Sequence, residues 1–351
     1  MTAFIQRTRT TVPNGMIERT KDFAWKAFLN AVPCDLSDTI VVSGVTRSGT
    51  SWLMELVRTL PGYKSLGEPL AYELDEGRPD HVGPYLRPGR PRDEKEAALR
   101  RILEGRIRGG WRVETSSVLR KIRRHVTRRK LVVKFVHGNR VLQWMANTFD
   151  VREILLVVRH PCAVVASMKK YGAWYYATPT GEAGELEHLL ENLPGSIADD
   201  IRSRVEKPPE SKEEMLALRW SIDHYLPFFV HEDAGYPWTL VPYERLVASG
   251  PEELGRIFAT FEEDVPAEAW EHLNVPSRSA RRTGVYAQNA RKQLAKWRER
   301  LAPDEVDDIL RIAHAFDLDF YDESLEPDYQ KLMRFQRSDA EETTKTRHDT
   351  G

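Results

Sequence analysis

A short segment with two glycines, Gly44-Val-Thr-Arg-Ser-Gly-Thr-Ser-Trp52, carries the clearest chemical signal in this chain of 351 residues. It follows a β-branched run, Thr39-Ile-Val-Val-Ser43, and precedes a stretch that we expect to be helical at residues 50–60. A glycine turn between a strand and a helix presents backbone N–H groups and a helix N-terminus, which bind phosphate oxygens. The segment therefore predicts a phosphate-binding loop.

This loop lacks two features of ATP-hydrolysing P-loops. A Walker A loop has lysine directly after its second glycine, and here that position is Thr50. The strands around Lys134 and Arg159 carry cations where an ATPase places a magnesium-holding carboxylate. Such a site suits a nucleotide with several fixed negative charges and no β/γ-phosphate pair that chelates magnesium. The sulfate donor 3′-phosphoadenosine 5′-phosphosulfate (PAPS) is such a ligand, and we expect no metal ion.

The elements that must position these residues follow a strand–helix alternation. Strands are predicted at 39–45, 130–136, 153–159 and 238–243, and helices at 141–149 and 161–171 in addition to the one after the loop. Proline fits the first position of a helix, so His160-Pro161 is expected to begin the last of these. The alternation predicts an α/β, P-loop-like three-layer fold, with a central parallel sheet flanked by helices.

Two long stretches interrupt this alternation, at about 71–129 and 174–214, and both are rich in Gly, Pro and charged residues. We expect helical or loop insertions beside the active face, where α/β proteins select their substrates. The sequence predicts one domain over residues 1–333. From 334 to 351 it lacks apolar periodicity, which predicts a disordered tail.

Composition narrows the class of partner. The chain has 52 basic and 53 acidic residues, so an anionic ligand must be held by a local cluster, and we expect no nucleic-acid partner. Two cysteines, Cys34 and Cys162, are too few for a disulfide framework and are expected to be free thiols. No apolar run approaches the length of a membrane span, so we expect a cytoplasmic protein.

Two segments together resemble the motifs of PAPS-dependent sulfotransferases. The loop is similar to the family's 5′-phosphosulfate loop, in the Arg-Ser-Gly-Thr branch that includes carbohydrate and bacterial enzymes. The segment Ile154-Leu-Leu-Val-Val-Arg159-His-Pro-Cys-Ala-Val-Val-Ala-Ser167 is similar to its 3′-phosphate motif, an arginine at a strand end with a serine eight residues later. The resemblance implies that the donor is bound by Arg47, Ser48, Gly49, Thr50, Ser51, Trp52, Arg159 and Ser167.

Weaker matches extend the resemblance from about residue 39 to 321. Val241-Pro-Tyr-Glu-Arg-Leu-Val247 is similar to the family's Tyr-Glu-Asp-Leu segment, and Gln293-Leu-Ala-Lys-Trp297-Arg-Glu-Arg-Leu301 is similar to its late Trp-containing helix. Arg281-Arg282-Thr-Gly284 is the segment most similar to the Arg-Lys-Gly loop of cytosolic relatives. These matches imply that Tyr243 and Arg282 also contact the donor.

Sulfuryl transfer requires an in-line acceptor oxygen, a base for its proton, and positive charge at the leaving group. Arg47 and Lys134 are expected to supply the charge, because a lysine in an apolar strand needs an anionic partner. Two residues compete as the base. The resemblance favours Glu68, which we expect to be buried beside the donor; His137 is the rival, one residue out of register with the family's Lys-x-His pattern.

The resemblance implies a sulfotransferase that uses PAPS as co-substrate and releases 3′-phosphoadenosine 5′-phosphate (PAP). A small-molecule or glycan acceptor is expected, with a carbohydrate or another alcohol favoured, because Glu68-Pro-Leu70 is similar to a segment of carbohydrate sulfotransferases. Two alternatives stay open: a P-loop nucleotide-dependent kinase-like phosphotransferase, and a catalytically inactive nucleotide-binding module. The sequence leaves the acceptor's identity and the oligomeric state open.

Overall fold

Five short strands form a parallel sheet with the order β2-β3-β1-β4-β5. The computed structural model of the protein describes residues 33–70, 85–87, 93–106, 128–172, 184–273, 275 and 289–338. The strands in these ranges are β1 (Thr39–Gly44), β2 (Tyr63–Gly67), β3 (Lys130–Phe135), β4 (Glu153–Val158) and β5 (Thr239–Pro242). The predicted α/β fold with a central parallel sheet is confirmed.

Helices flank this sheet. They are α1 (Thr50–Val57), α2 (Asp93–Leu103), α3 (Leu142–Thr148), α4 (Pro161–Tyr171), α5 (Gly184–Leu190), α6 (Gly195–Arg204), α7 (Lys212–Phe228), α8 (Tyr243–Ala248), α9 (Gly250–Ala259), α10 (Ala267–Leu273), α11 (Ala290–Ala295), α12 (Pro303–Ala315) and α13 (Tyr329–Leu332). Short 3₁₀ turns are found at Leu36–Asp38, Asn139–Val141, Glu232–Ala234, Lys296–Glu299 and Met333–Phe335.

The β-branched strands are buried on both faces, which is why they read as continuous apolar runs. Successive side chains of a strand point to opposite faces, and here they enter two separate cores. In β1, Val41 packs into one core while Ile40 and Val42 pack into the other. Leu156 and Leu155 of β4 divide in the same way. The helices that complete the two cores make the outer layers of the predicted three-layer fold.

β2 is absent from the predicted strands. Its five residues, Tyr63-Lys-Ser-Leu-Gly67, contain no continuous apolar run, and the strand lies at the edge of the sheet, next to β3. Lys64 is nevertheless buried, and this burial lowers the pKa of its ammonium group, which the interaction with Cys34 offsets in part. A strand with one lysine and one serine in five residues gives too weak an alternation to be recognised locally.

The described parts of the two predicted insertions contain helices. In the first, the structure describes residues 85–87 and α2; in the second, it describes α5, α6 and the start of α7. A capping box begins α7, in which the Ser211 hydroxyl accepts from the Glu214 N–H and the Glu214 carboxylate accepts from the Ser211 N–H. The remaining residues of the insertions lie outside the described ranges, and their role in specificity stays a prediction.

Packing continues beyond residue 334, where the sequence predicts that a tail begins. Phe335 is buried, and its carbonyl accepts a hydrogen bond of 2.7 Å from the Trp238 indole. Arg337 donates to the carboxylate of Glu153 at the start of β4, at 2.9 Å. These contacts correct the start of the predicted tail, because they attach the chain to the sheet at least as far as Arg337. Residues 339–351 lie outside the described ranges.

Both cysteines are free, as predicted, and the structure buries them. Burial raises the pKa of the Cys162 thiol to about 12, so this thiol is unreactive at neutral pH. None of the helices in the described ranges combines the length and the apolar composition needed to cross a membrane.

Candidate active site

The loop between β1 and α1 is shaped by two glycines. A Cβ on Gly44 would lie 2.8 Å from the Val157 carbonyl oxygen of the neighbouring strand. Gly49 has a φ of +108°, and a Cβ there would lie 2.6 Å from the ring of Tyr243. The hydroxyl of Ser48 is buried and has no hydrogen-bond partner among the described residues. An unmatched buried hydroxyl costs about 1–3 kcal/mol, so it suits a ligand oxygen at this position.

Arg47 connects the loop to the second predicted phosphate motif. Its Nε donates to the Ser167 hydroxyl at 3.1 Å, and its carbonyl accepts from Nη1 of Arg159 at 2.8 Å. The two motifs meet because β1 and β4 are paired, with Gly44 opposite Val157, so both strands end at the same edge of the sheet. Arg47 itself adopts a left-handed φ of 69°, which is rare for a residue with a side chain and typical of constrained functional loops.

Tyr243 fills the space between the loop and the strand end of β4. The guanidinium carbon of Arg159 lies 4.2 Å from the centroid of its ring, a cation–π contact. The ring of Trp52 meets it edge-on at 6.0 Å, and its hydroxyl accepts from Gln293 at 3.0 Å. Tyr243 therefore holds Arg159 against the loop, and the structure brings both predicted donor-binding residues together.

Two further cations, Lys296 and Arg300, lie close enough to Arg159 for their charges to interact with it. Lys296 is partly buried, and its desolvation together with the charges of Arg300, Lys170 and Arg159 lowers its pKa to about 8. Desolvation and Arg159 also lower the pKa of Arg300, which the carboxylate of Glu299 offsets only in part. Cations that depress one another in this way gain stability when an anion joins them. Lys170, Lys296 and Arg300 were not predicted as site residues, although Lys296 and Arg300 lie within the segment that resembles the family's late Trp-containing helix. Arg282 lies outside the described residues.

A second cluster forms at the end of β3. The Lys134 ammonium group is 2.5 Å from a carboxylate oxygen of Glu68 and 2.9 Å from the hydroxyl of Ser51 in the first turn of α1. The Glu68 N–H donates to the Lys134 carbonyl at 2.8 Å, so both its backbone and its side chain are tied to Lys134. Only 6% of the Lys134 side chain is exposed. A buried lysine was predicted to need an anionic partner, and in the structure that partner is Glu68.

Glu68 differs from the prediction in its burial. Its side chain is 48% exposed, because β2 is an edge strand and Glu68 directly follows its last residue. Register explains its position: Gly67 of β2 is paired with Lys134 of β3, so the next residue reaches the lysine. Glu68 also has a left-handed φ of 54°. An accessible carboxylate beside the phosphate loop is open to a substrate from solvent.

His137 lies on the other side of the loop. Its Nε2 is 3.4 Å from the Thr46 hydroxyl, and its Nδ1 is 3.3 Å from Nη2 of Arg219 in α7. The one-residue offset in the sequence brings the ring to Thr46, whereas Lys134 approaches the loop at Ser51. The two candidate bases therefore occupy different places around the loop.

A buried polar network supports the strand end that carries Arg159. The carboxylate of Glu244 accepts from the His160 N–H at 2.9 Å and from the Tyr321 hydroxyl at 3.0 Å. Burial raises the pKa of Glu244 to about 7. The Trp220 indole donates to the Arg159 carbonyl at 3.1 Å. These hydrogen bonds come from three distant parts of the chain, and they fix the backbone at Arg159 and His160.

Within the described ranges, no three His, Cys, Asp or Glu side chains are grouped so that they could hold a metal ion.

No protein-family model matches the chain, and no curated protein matches it. The fold is similar to the sulfotransferase domain from the Synechococcus PCC 7002 olefin synthase, with a TM-score of 0.42 and 17% identity over 84% of this chain and 97% of that domain. It is also similar to sulfotransferase STF1 from Mycobacterium tuberculosis H37Rv, with a TM-score of 0.33 and 14% identity over 80% of this chain and 81% of that protein. At these values the likeness by itself assigns no function.

Proposed function

We propose that this protein is a sulfotransferase that moves the sulfuryl group of PAPS to an acceptor hydroxyl. The observation that carries the proposal is the hydrogen-bonded connection of the phosphate loop to the cationic end of β4, through Arg47, Ser167 and Arg159. One nucleotide with phosphate groups on both its 5′ and its 3′ side would engage both parts at once.

The residues present suit that ligand. The Ser48 hydroxyl and the Nε of Arg159 are buried polar atoms without hydrogen-bond partners among the described residues. Lys296 and Arg300 add positive charge near Arg159. We assign the loop, from Arg47 to Trp52, to the 5′-phosphosulfate, and Arg159 with Ser167 and the neighbouring cations to the 3′-phosphate.

The chemistry then follows from the Glu68 cluster. Glu68 takes the proton of the acceptor hydroxyl, whose oxygen forms a bond to sulfur as the bond between sulfur and the 5′-phosphate oxygen breaks. Negative charge grows on that phosphate oxygen. Arg47, which is part of the loop, and Lys134, which contacts Ser51, are the cations that we assign to stabilise this charge. The products are the sulfated acceptor, PAP and a proton on Glu68.

An alcohol, such as a sugar hydroxyl, is the proposed class of acceptor. Glu68 directly follows the edge strand β2 and is open to solvent, so a hydroxyl of a larger molecule can reach it without entering the core. The resemblance of the segment after β2 to carbohydrate sulfotransferases supports the same class.

A transfer assay tests the function. Purified protein is incubated with PAPS carrying radioactive sulfur and with sets of sugars, glycolipids, phenols and peptides. Acceptor-dependent release of PAP with labelled product is the expected result. Binding of ATP that requires magnesium, without PAPS binding, would instead indicate a kinase-like phosphotransferase. PAP binding without transfer to any class would indicate an inactive nucleotide-binding module.

PAP affinity should fall as the pH rises through about 8, where Lys296 loses its proton. The pKa of Lys296 is lowered in the free protein, so its charge is fully present only below that value, and an anion binds the charged form more tightly. We expect about a 3- to 10-fold loss between about pH 7.5 and pH 9.5, above the titration of the phosphate itself near pH 6. Isothermal titration at each pH measures it.

Two variants isolate this effect. Lys296→Arg keeps its charge across the range, and its affinity should be nearly constant. Lys296→Met should bind PAP weakly at every pH. An unchanged pH dependence in Lys296→Met would show that another group is responsible.

A further inference from the structure

His137 has a polar partner at each ring nitrogen, and the two partners differ in kind. Nδ1 faces a guanidinium nitrogen of Arg219 at 3.3 Å, and Nε2 faces the hydroxyl of Thr46 at 3.4 Å. A guanidinium group is always charged and can only donate, whereas a hydroxyl can donate or accept. Arg219 therefore restricts the protonation of Nδ1, whereas Thr46 is compatible with either protonation state of Nε2.

The restriction selects one tautomer. A proton on Nδ1 would point at the N–H groups of Arg219, two donors with no acceptor between them. Nδ1 must accept, so the single proton of the neutral ring is on Nε2 and is directed at the Thr46 hydroxyl.

Arg219 is held in this position by the helix that carries it. One residue later in α7, the Trp220 indole donates to the Arg159 carbonyl at the end of β4. One turn later, Asp223 forms a buried ion pair of 2.8 Å with Arg140, just beyond His137. These two contacts attach α7 to the end of β4 and to the segment that follows His137, and only 6% of Arg219 is exposed. The contact with His137 is built into the packing.

We infer that Arg219 holds His137 as its neutral Nε2–H tautomer, so that His137 is a hydrogen-bond donor to the phosphate loop and not the base. The catalytic meaning of this inference rests on the proposed sulfotransferase function; the tautomer itself does not. His137 and Arg219 are positioning residues, which tie Thr46 of the loop to α7. Of the two candidate bases, Glu68 is the one whose carboxylate, although paired with Lys134 through one oxygen, is exposed and can accept a proton from an acceptor.

The tautomer can be measured without any substrate. Long-range ¹H–¹⁵N spectra of the full chain labelled in histidine, at about pH 8 where an ordinary histidine is neutral, report which ring nitrogen carries the proton. The His137→Gln variant assigns the signal. Protonated Nε2 with unprotonated Nδ1 is the expected result. The opposite tautomer overturns the inference, whether or not the protein transfers sulfate.

Activity distinguishes a donor from a base. In His137→Gln the side-chain amide can still donate from near the position of Nε2, whereas the shorter amide of His137→Asn cannot reach Thr46. We expect kcat of the Gln variant to stay within about fivefold of wild type and kcat of the Asn variant to fall by about 10-fold or more, because only the Gln amide still donates to Thr46. Neither amide can act as a base, so the loss of a base would lower kcat in both variants. A loss of about 10²- to 10⁴-fold in both variants, with their melting temperatures preserved, overturns the inference. His188→Gln on α5 is the matched control and should leave kcat unchanged.

Discussion

Glu68→Gln is expected to lower kcat by about 10²- to 10⁴-fold, the usual contribution of a general base, while PAP affinity stays within about threefold. The amide cannot take the acceptor proton, but its oxygen can still accept from the Lys134 ammonium group, which holds the side chain at 2.5 Å in the native protein. The cluster therefore keeps its shape and loses only its base. Single-turnover transfer at saturating PAPS and acceptor measures the chemical step directly.

Glu187→Gln is the matched control. Glu187 is a glutamate of similar exposure, 53%, paired with Arg202 on helices outside the site, and kcat should not change when it is replaced. Near-normal turnover of Glu68→Gln at saturating acceptor, combined with loss of activity in His137→Ala, would reverse our assignment of the base.

Arg159→Ala is expected to weaken PAP binding by about 100-fold or more. In the structure, Nη1 of Arg159 donates to the Arg47 carbonyl and its guanidinium stacks on Tyr243, while its buried Nε has no hydrogen-bond partner among the described residues and is proposed to bind the 3′-phosphate. Hydrogen bonds to a charged group contribute about 1.5–3 kcal/mol each, and about 1.4 kcal/mol corresponds to a tenfold change in affinity. Calorimetric titration of PAP into the variant measures the loss.

A nucleotide without the 3′-phosphate separates binding from structural damage. Adenosine 5′-phosphate should bind wild type and Arg159→Ala with affinities that differ far less than those of PAP. Arg152→Ala is the control for a partly buried arginine outside the site: it loses contacts with Tyr63 and Glu263 and should lower the melting temperature without changing PAP affinity. Unchanged PAP affinity in Arg159→Ala would refute the assignment of the 3′-phosphate site.

Several features of the site were predictable because they depend on a short stretch of chain. The loop, the start of α4 at Pro161 and the arginine at the end of β4 are local combinations of strand, turn and helix signals. β2 was not predictable in this way, since its five residues are stabilised by pairing with β3 and not by their own pattern. The exposure of Glu68 was misjudged for the same reason, because an edge strand can be recognised only from the complete sheet.

The sequence by itself determined the class of fold, the predicted phosphate loop and the cations Arg47, Lys134 and Arg159, because these follow from the order of residues along short segments. Only the tertiary structure decided which side chains meet. Arg47 bonds to Ser167 across 120 residues, Lys134 to Glu68 across 66, and Arg219 to His137 across 82. These contacts follow from strand order, register and helix packing, which bring distant segments to one edge of the sheet. The division of roles between Glu68 and His137 arises at that level.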